Sequence, residues 1–173
     1  VSGGFLLIRH AKASGQAPDA PLTAEGQEQA HRLASQLAQH GITRMVSSPW
    51  LRAVDTAQPL ATALGLSIET DERLTERVLS GHDLPHWQTA LRASFLDPER
   101  VIDSGESGTT AKARALAALK DAEDPQGLTA IFTHGNLLAL LLGLDYGGWA
   151  ELRNPDVWRW NAEGLAERVR LEP

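Results

Sequence analysis

Phe5-Leu6-Leu7-Ile8-Arg9-His10-Ala11-Lys12 is the stretch from which the fold is read. Four apolar residues run directly into an arginine and a histidine, then into a polar loop. A short apolar run bounded by turn signals predicts a buried strand, most naturally in a parallel sheet. Arg9 and His10 then stand at its carboxyl end, where open α/β sheets hold their ligands. A cation beside an imidazole in that place suits a negatively charged substrate, with His10 as base, nucleophile or ligand. The rival reading is a strand that ends in polar residues without chemical purpose, and the rest of the chain decides between them.

Working outward, two later stretches follow the same plan. Thr43-Arg44-Met45-Val46-Ser47 predicts a second strand, ending in Ser47-Ser48-Pro49, with Pro49 expected in the first turn of a helix and Arg52 just behind it. A cation is disfavoured at a helix start, so Arg52 is better explained by an anion shared with that terminus. Leu128-Thr129-Ala130-Ile131-Phe132-Thr133 predicts a third strand, running into His134-Gly135. Gly135 permits a sharp turn and close approach of backbone to a ligand. Helical spacing follows each strand: Ala30, Leu33, Ala34, Leu37 and Ala38 after a cap at Thr23; Leu51, Val54, Ala57, Leu60 and Leu64, with Pro59 expected to kink or break the run; and Leu137 to Leu142, apolar all round. Ser107 caps a further helix, with Ala113, Leu116, Ala117 and Leu119 on its expected buried face. Residues 157–161 and 165–171 alternate with period two and predict a terminal antiparallel hairpin. The pattern is a three-layer α/β/α fold with a mostly parallel central sheet and a C-terminal antiparallel hairpin.

A chain of 173 residues without a linker or repeat predicts one domain over 1–173, with a site-covering insertion at about 71–105 that contains a helix around His86 to Leu96. Trp87, Leu91 and Phe95 share a face of that helix. Sixteen basic against 22 acidic residues argue against a nucleic-acid partner. Without cysteine there is no disulfide, thiol nucleophile or thiolate metal site. The longest apolar stretch, 137–144, is far below the roughly 20 residues of a membrane span, and no leader precedes the first strand, so the expected compartment is the cytoplasm.

In a parallel sheet the three strand ends share one edge, bringing Arg9, His10, Arg52 and His134 together. Two imidazoles and two guanidinia so placed call for a phosphate dianion, whose oxygens match arginine forks. At this point the chain resembles the histidine phosphatase superfamily, the phosphoglycerate mutase-like proteins. The likeness rests on Arg9-His10-Ala11, Leu22-Thr23-Ala24-Glu25-Gly26, Ser47 to Ala53 with Thr56-Ala57, Leu74-Thr75-Glu76-Arg77, and Thr133-His134-Gly135, which together span nearly the whole chain. The resemblance implies His10 as the nucleophile that becomes phosphohistidine, with Arg9, Arg52 and His134 holding the phosphoryl oxygens. It implies Glu76 as the group that protonates the leaving oxygen, and it implies neither metal nor cofactor.

Departures from the family pattern carry information. Ala11 replaces the usual glycine, a spelling found among small phosphohistidine phosphatases, yet those generally lack the glutamate that Glu76 supplies. Ala13 stands where many relatives have a threonine or serine, and Gln16 where many carry an asparagine facing the phosphate, which places Gln16 near the site. Lys12, Arg77 and His82 are candidate substrate-side residues. Arg77 after Glu76 is similar to the true mutases, which are longer chains. The expected function is a metal-independent phosphatase acting on a small phosphomonoester, with mutase, protein phosphohistidine phosphatase and non-catalytic phospholigand sensor as rivals. The oligomeric state, monomer or homodimer, is left open by the sequence.

Overall fold

The structure is a computed structural model that describes residues 3–172. Strands β1 (Phe5–Arg9), β2 (Ile42–Ser47), β3 (Ile68–Thr70), β4 (Leu128–Thr133), β5 (Asp156–Trp160) and β6 (Ala166–Arg168) form one sheet in the order β3-β2-β4-β1-β5-β6. The pairs β3–β2, β2–β4 and β4–β1 are parallel, whereas β5 runs antiparallel to β1 and β6 antiparallel to β5. The mixed sheet, mostly parallel and closed at one side by an antiparallel pair, is the arrangement expected from the sequence.

Alternation along the strands builds two cores. Leu6, Ile8, Met45, Ala130 and Phe132 face helices α1 (Ala24–Leu37) and α2 (Leu51–Leu64). Phe5, Leu7, Val46 and Ile131 face α4 (Gly108–Ala122) and α5 (Gly135–Leu142). Each of these side chains other than Ala130 contributes roughly 1.5–3 kcal/mol of transfer free energy when buried this fully. The short helices α3 (Trp87–Leu96) and α6 (Tyr146–Ala150) complete the chain.

Thr23 caps α1 through a bond from the Gly26 N–H, and Ser107 caps α4 through one from Thr110. Three local expectations are corrected. Pro49 lies ahead of α2 rather than in its first turn, and Trp50 is the cap residue. Pro59 does not break α2, which runs on from Leu51 to Leu64: burial of Ala53, Ala57, Leu60 and Ala61 offsets the roughly 3 kcal/mol that an interior proline costs. On α4 the buried residues are Ala111, Ala115, Ala118, Leu119 and Ala122, with Leu116 and Ala113 turned outward. Alanine fills both faces of that helix, so its period is legible and its phase is not.

Gly26, which weakens the start of α1 as a helix former, has a packing reason. A Cβ there would sit 2.0 Å from the Lys12 carbonyl oxygen. The first turn of α1 thus lies directly on the loop that follows β1, which is also pinned by the bond from the Thr23 N–H to Lys12 O and by the bridge between Ala13 and Leu22.

Candidate active site

Sheet register sets the level of the site. Arg9 pairs with Thr133, and Ser47 pairs with Phe132 across the other side of β4. His10, Ser48 and His134 therefore leave three adjacent parallel strands at one height. The His10 N–H donates to Thr133 O at 3.1 Å and the Ser48 N–H to Phe132 O at 2.9 Å. The two imidazoles meet edge to face with ring centroids 5.3 Å apart.

His10 is 7% exposed. Its Nδ1 lies 2.7 Å from the Ala11 carbonyl oxygen, which only accepts, so Nδ1 carries the proton and Nε2 keeps its lone pair. Arg52 reports the same tautomer independently by donating Nε–H to His10 Nε2 at 3.2 Å. Burial above all, with Arg52 and Arg9 adding to it against the raising effect of the Ala11 bond, lowers the pKa of His10 to about 4. Burial and the neighbouring His10 and arginines likewise hold His134 well below the ordinary imidazole range.

Both rings thus take up protons at lower pH in the folded chain than in the unfolded one. The sign follows: their contribution is fully present above about 6.5 and is lost as pH falls through the folded values, with His10 alone accounting for about 3 kcal/mol. Chemical denaturation is expected to show stability declining from pH 6.5 towards 4. Histidine C–H NMR of the ligand-free protein is expected to show the His10 ring still neutral at pH 5; a His10 ring titrating near 6.5 would remove the basis for this expectation.

Arg52 is 1% exposed, and it holds the loop after β1 by donating Nη1–H to the carbonyls of Gln16 and Ala17 at 3.3 and 2.9 Å. Thr56, one turn further along α2, accepts the Ala11 N–H at 2.9 Å and donates to Arg52 O at 2.7 Å, which fixes the backbone beside His10. Arg9 donates Nη1–H to Leu152 O at 3.1 Å and lies against Gly135, where a Cβ would come within 2.7 Å of its Cζ. The glycine therefore makes room for the guanidinium. Asn154 donates Nδ2–H to His10 O at 3.0 Å, tying the loop before β5 to the strand end.

Ser48 Oγ accepts the Trp50 N–H and lies 2.8 Å from His134 Nε2; when the hydroxyl donates there, the Nδ1–H of His134 is an open donor. That Nδ1 and the Nε of Arg9 are buried without a partner among the described residues. Buried polar atoms are costly unless satisfied, and an oxyanion beside His10 supplies the acceptors they lack.

Glu76 reaches this centre from the segment after β3. Its Oε1 accepts N–H bonds from Arg77 and Leu137, both at 2.9 Å, and its Oε2 accepts one from Asn136 at 3.0 Å. The carboxylate thus sits at the start of α5, one residue beyond His134, and its charge acts on Arg9 and Arg52. Arg114 of α4 sets its backbone by donating to the carbonyls of Arg73, Thr75 and Glu76, and is itself held by Glu106 at 2.5 Å.

The structure brings together Arg9, His10, Arg52, Glu76, His134 and Gly135. It does not bring the Arg77 guanidinium there: those nitrogens donate to Ser94 Oγ and Glu106 O, because Arg77 is buried between α3 and the chain entering α4. Gln16 contributes its backbone carbonyl, while its side chain is exposed. Lys12 is exposed and paired with Glu25. The sequence marks Ser48 as a strand end without a role of its own, and it assigns no role to Thr56, Arg114 or Asn154. Thr56 lies inside a stretch that carries the family likeness; for Arg114 and Asn154 nothing local in the sequence marks the role. Among the described residues no group of three or more His, Cys, Asp or Glu is placed to hold a metal ion.

The parallel part of the sheet thus presents at one edge two imidazoles, the buried Arg52 and the part-buried Arg9. The chain belongs to the histidine phosphatase superfamily: branch 1 of that family matches residues 5–170. The Escherichia coli (strain K12 / DH10B) protein named probable phosphoglycerate mutase GpmB is 32% identical over 168 residues, covering 85% of this chain and 77% of that one. The native structure of mycobacterial glucosyl-3-phosphoglycerate phosphatase superposes with a TM-score of 0.76 at 25% identity, covering 97% of each chain. The phosphoglycerate mutase from Bacillus anthracis str. Sterne reaches 0.73 at 18% identity over 97% of this chain and 92% of that one, a likeness of fold alone. No helix among the described residues is long and apolar enough to cross a membrane.

Proposed function

We propose that this protein hydrolyses a small phosphomonoester through a phosphohistidine on His10. The observation that carries the reading is the tautomer: Nδ1–H is spent on the Ala11 carbonyl and Nε2 faces the arginine pocket as a neutral nucleophile. The Arg52 Nε–H turns from Nε2 to a phosphoryl oxygen, and the freed Nε2 lone pair attacks phosphorus. The bond from phosphorus to the leaving oxygen breaks, and Glu76, entering the step in its protonated form, gives that oxygen its proton. Water then attacks the phosphohistidine and returns a proton to Glu76, inorganic phosphate departs, and Nε2 regains its lone pair. Arg9, Arg52 and His134 stabilise charge on the equatorial oxygens.

Hydrolysis requires water at the second step. A groove of about 500 Å³ along residues 76–87 adjoins the site at Trp50 and Glu76, and its walls include the half-exposed Val78 and Trp87. An open groove admits water to the phosphoenzyme, which favours phosphatase over mutase. The mutase reading draws its support from the GpmB relative. Metal-free phosphate release from a phosphomonoester panel, run beside 3-phosphoglycerate isomerisation, decides between them: isomerisation without release would replace this reading.

The role of Glu76 has its own test. Glu76→Gln is expected to slow release from alkyl phosphates by about 10²-fold or more, and release from p-nitrophenyl phosphate far less, because that leaving group needs no proton. An equal loss on both substrates would assign Glu76 to positioning instead.

A further inference from the structure

The phosphate pocket says nothing about what the phosphate is attached to; the groove beside it does. Trp50 and Glu76 belong to both, since the Trp50 ring lies 4.9 Å from that of His134 and both residues line the groove. Trp50, Val78, Leu79, Leu84 and Trp87 supply apolar walls. Trp87 is 46% exposed yet not loose. It rests edge-on against Trp149 at 6.2 Å, Trp149 against Tyr146 at 5.4 Å, and Arg92 covers Tyr146 at 4.6 Å. An exposed tryptophan braced in this way is a preorganised wall, and it loses little freedom when a ligand packs on it.

Charge in the groove points the same way. Its acidic lining residues are Glu76 and Asp83, and its one arginine, Arg77, has its guanidinium bonded to Ser94 and Glu106 O. Arg114 is likewise spent on Glu106 and on backbone carbonyls. A carboxylate or second phosphate on the leaving group would meet acidic side chains with no free cation to offset them. Ser80, His82 and Asp83 instead offer hydrogen-bonding partners for hydroxyl groups.

We infer that the leaving group is an uncharged ring-bearing alcohol, a sugar or a nucleoside, packed on the Trp50 and Trp87 walls and bonded through its hydroxyls by Asp83, and that carboxylated phosphomonoesters are rejected. This rests on the phosphatase reading above and adds the substrate class to it.

The test compares kcat/KM of the full chain for glucose 6-phosphate, adenosine 5′-monophosphate, glycerol 1-phosphate and 3-phosphoglycerate. At least one of the two ring substrates is expected to exceed 3-phosphoglycerate by about tenfold or more, and the better of the two separates sugar from nucleoside. Trp87→Ala is expected to lower the favoured ring substrate by about tenfold while leaving glycerol 1-phosphate within about twofold. Asp83→Lys, on an exposed loop, is expected to raise 3-phosphoglycerate relative to the ring substrate by about tenfold. A wild-type preference for 3-phosphoglycerate, or an equal effect of Trp87→Ala on every substrate, would overturn the inference while the phosphatase reading stood. If nothing in the panel is turned over, the phosphatase reading falls, and the order of dissociation constants on His10→Ala, read by tryptophan fluorescence, still decides what the groove prefers.

Discussion

His10→Ala is expected to lower phosphate release by at least ~10⁴-fold, the largest single effect available in this site. The reason is covalent: no other nucleophile among the described residues stands at the meeting point of β1, β2 and β4 with its lone pair turned to Arg52. His134 is not expected to substitute, because its Nε2 is turned to Ser48 rather than to Arg52 and its ring lies 5.3 Å away, centroid to centroid. The fold is expected to survive, since the strand end is held by backbone bonds to Thr133 and by Asn154 rather than by the ring. His10→Gln serves as a second, larger replacement if the alanine variant melts early. In the wild type, labelled substrate quenched in alkali is expected to leave label on His10 that acid then releases. Full activity in both variants, or label on another residue, would sink the phosphohistidine route.

Arg52→Lys keeps the charge and is nevertheless expected to lower kcat/KM by about 10²-fold. Arg52 donates from Nε and Nη1 in fixed directions, to His10 Nε2 and to the carbonyls of Gln16 and Ala17, from a position that is 1% exposed. A lysine ammonium is a point charge on a flexible stem and cannot span those partners while also facing a phosphoryl oxygen. The loop after β1 then loses two part-buried bonds that hold it to α2, although Ala17 O keeps the one from the Ala20 N–H. Stability and inorganic phosphate inhibition are therefore expected to weaken together. A lysine variant with wild-type kinetics would mean that net charge, rather than the fork, holds the substrate.

The catalytic edge was legible because its residues follow their strands immediately. Arg9-His10, Ser47-Ser48 and His134-Gly135 are each read off the end of an apolar run, and parallel pairing does the rest. Arg52 stood out because a cation at a helix start lacks a local reason. What was not legible depends on contacts between distant residues. Arg114 finds the carbonyls of Arg73, Thr75 and Glu76 across the sequence, and Asn154 finds His10 across a still longer gap. Neither lies in a pattern of period two or 3.6. Arg77 shows the converse error: its place beside Glu76 suggested the substrate, while packing against α3 and the chain before α4 turned its guanidinium into the fold.

The bonds from Arg9 to Leu152 and from Asn154 to His10 span 143 and 144 positions. Residues made earlier are thus locked by residues made much later. A nascent chain still lacking β5 has the strand that bears its nucleophile but not the fastening behind it, and closing so long a loop is among the slower events of folding. The centre therefore comes into being only after most of the chain has left the ribosome.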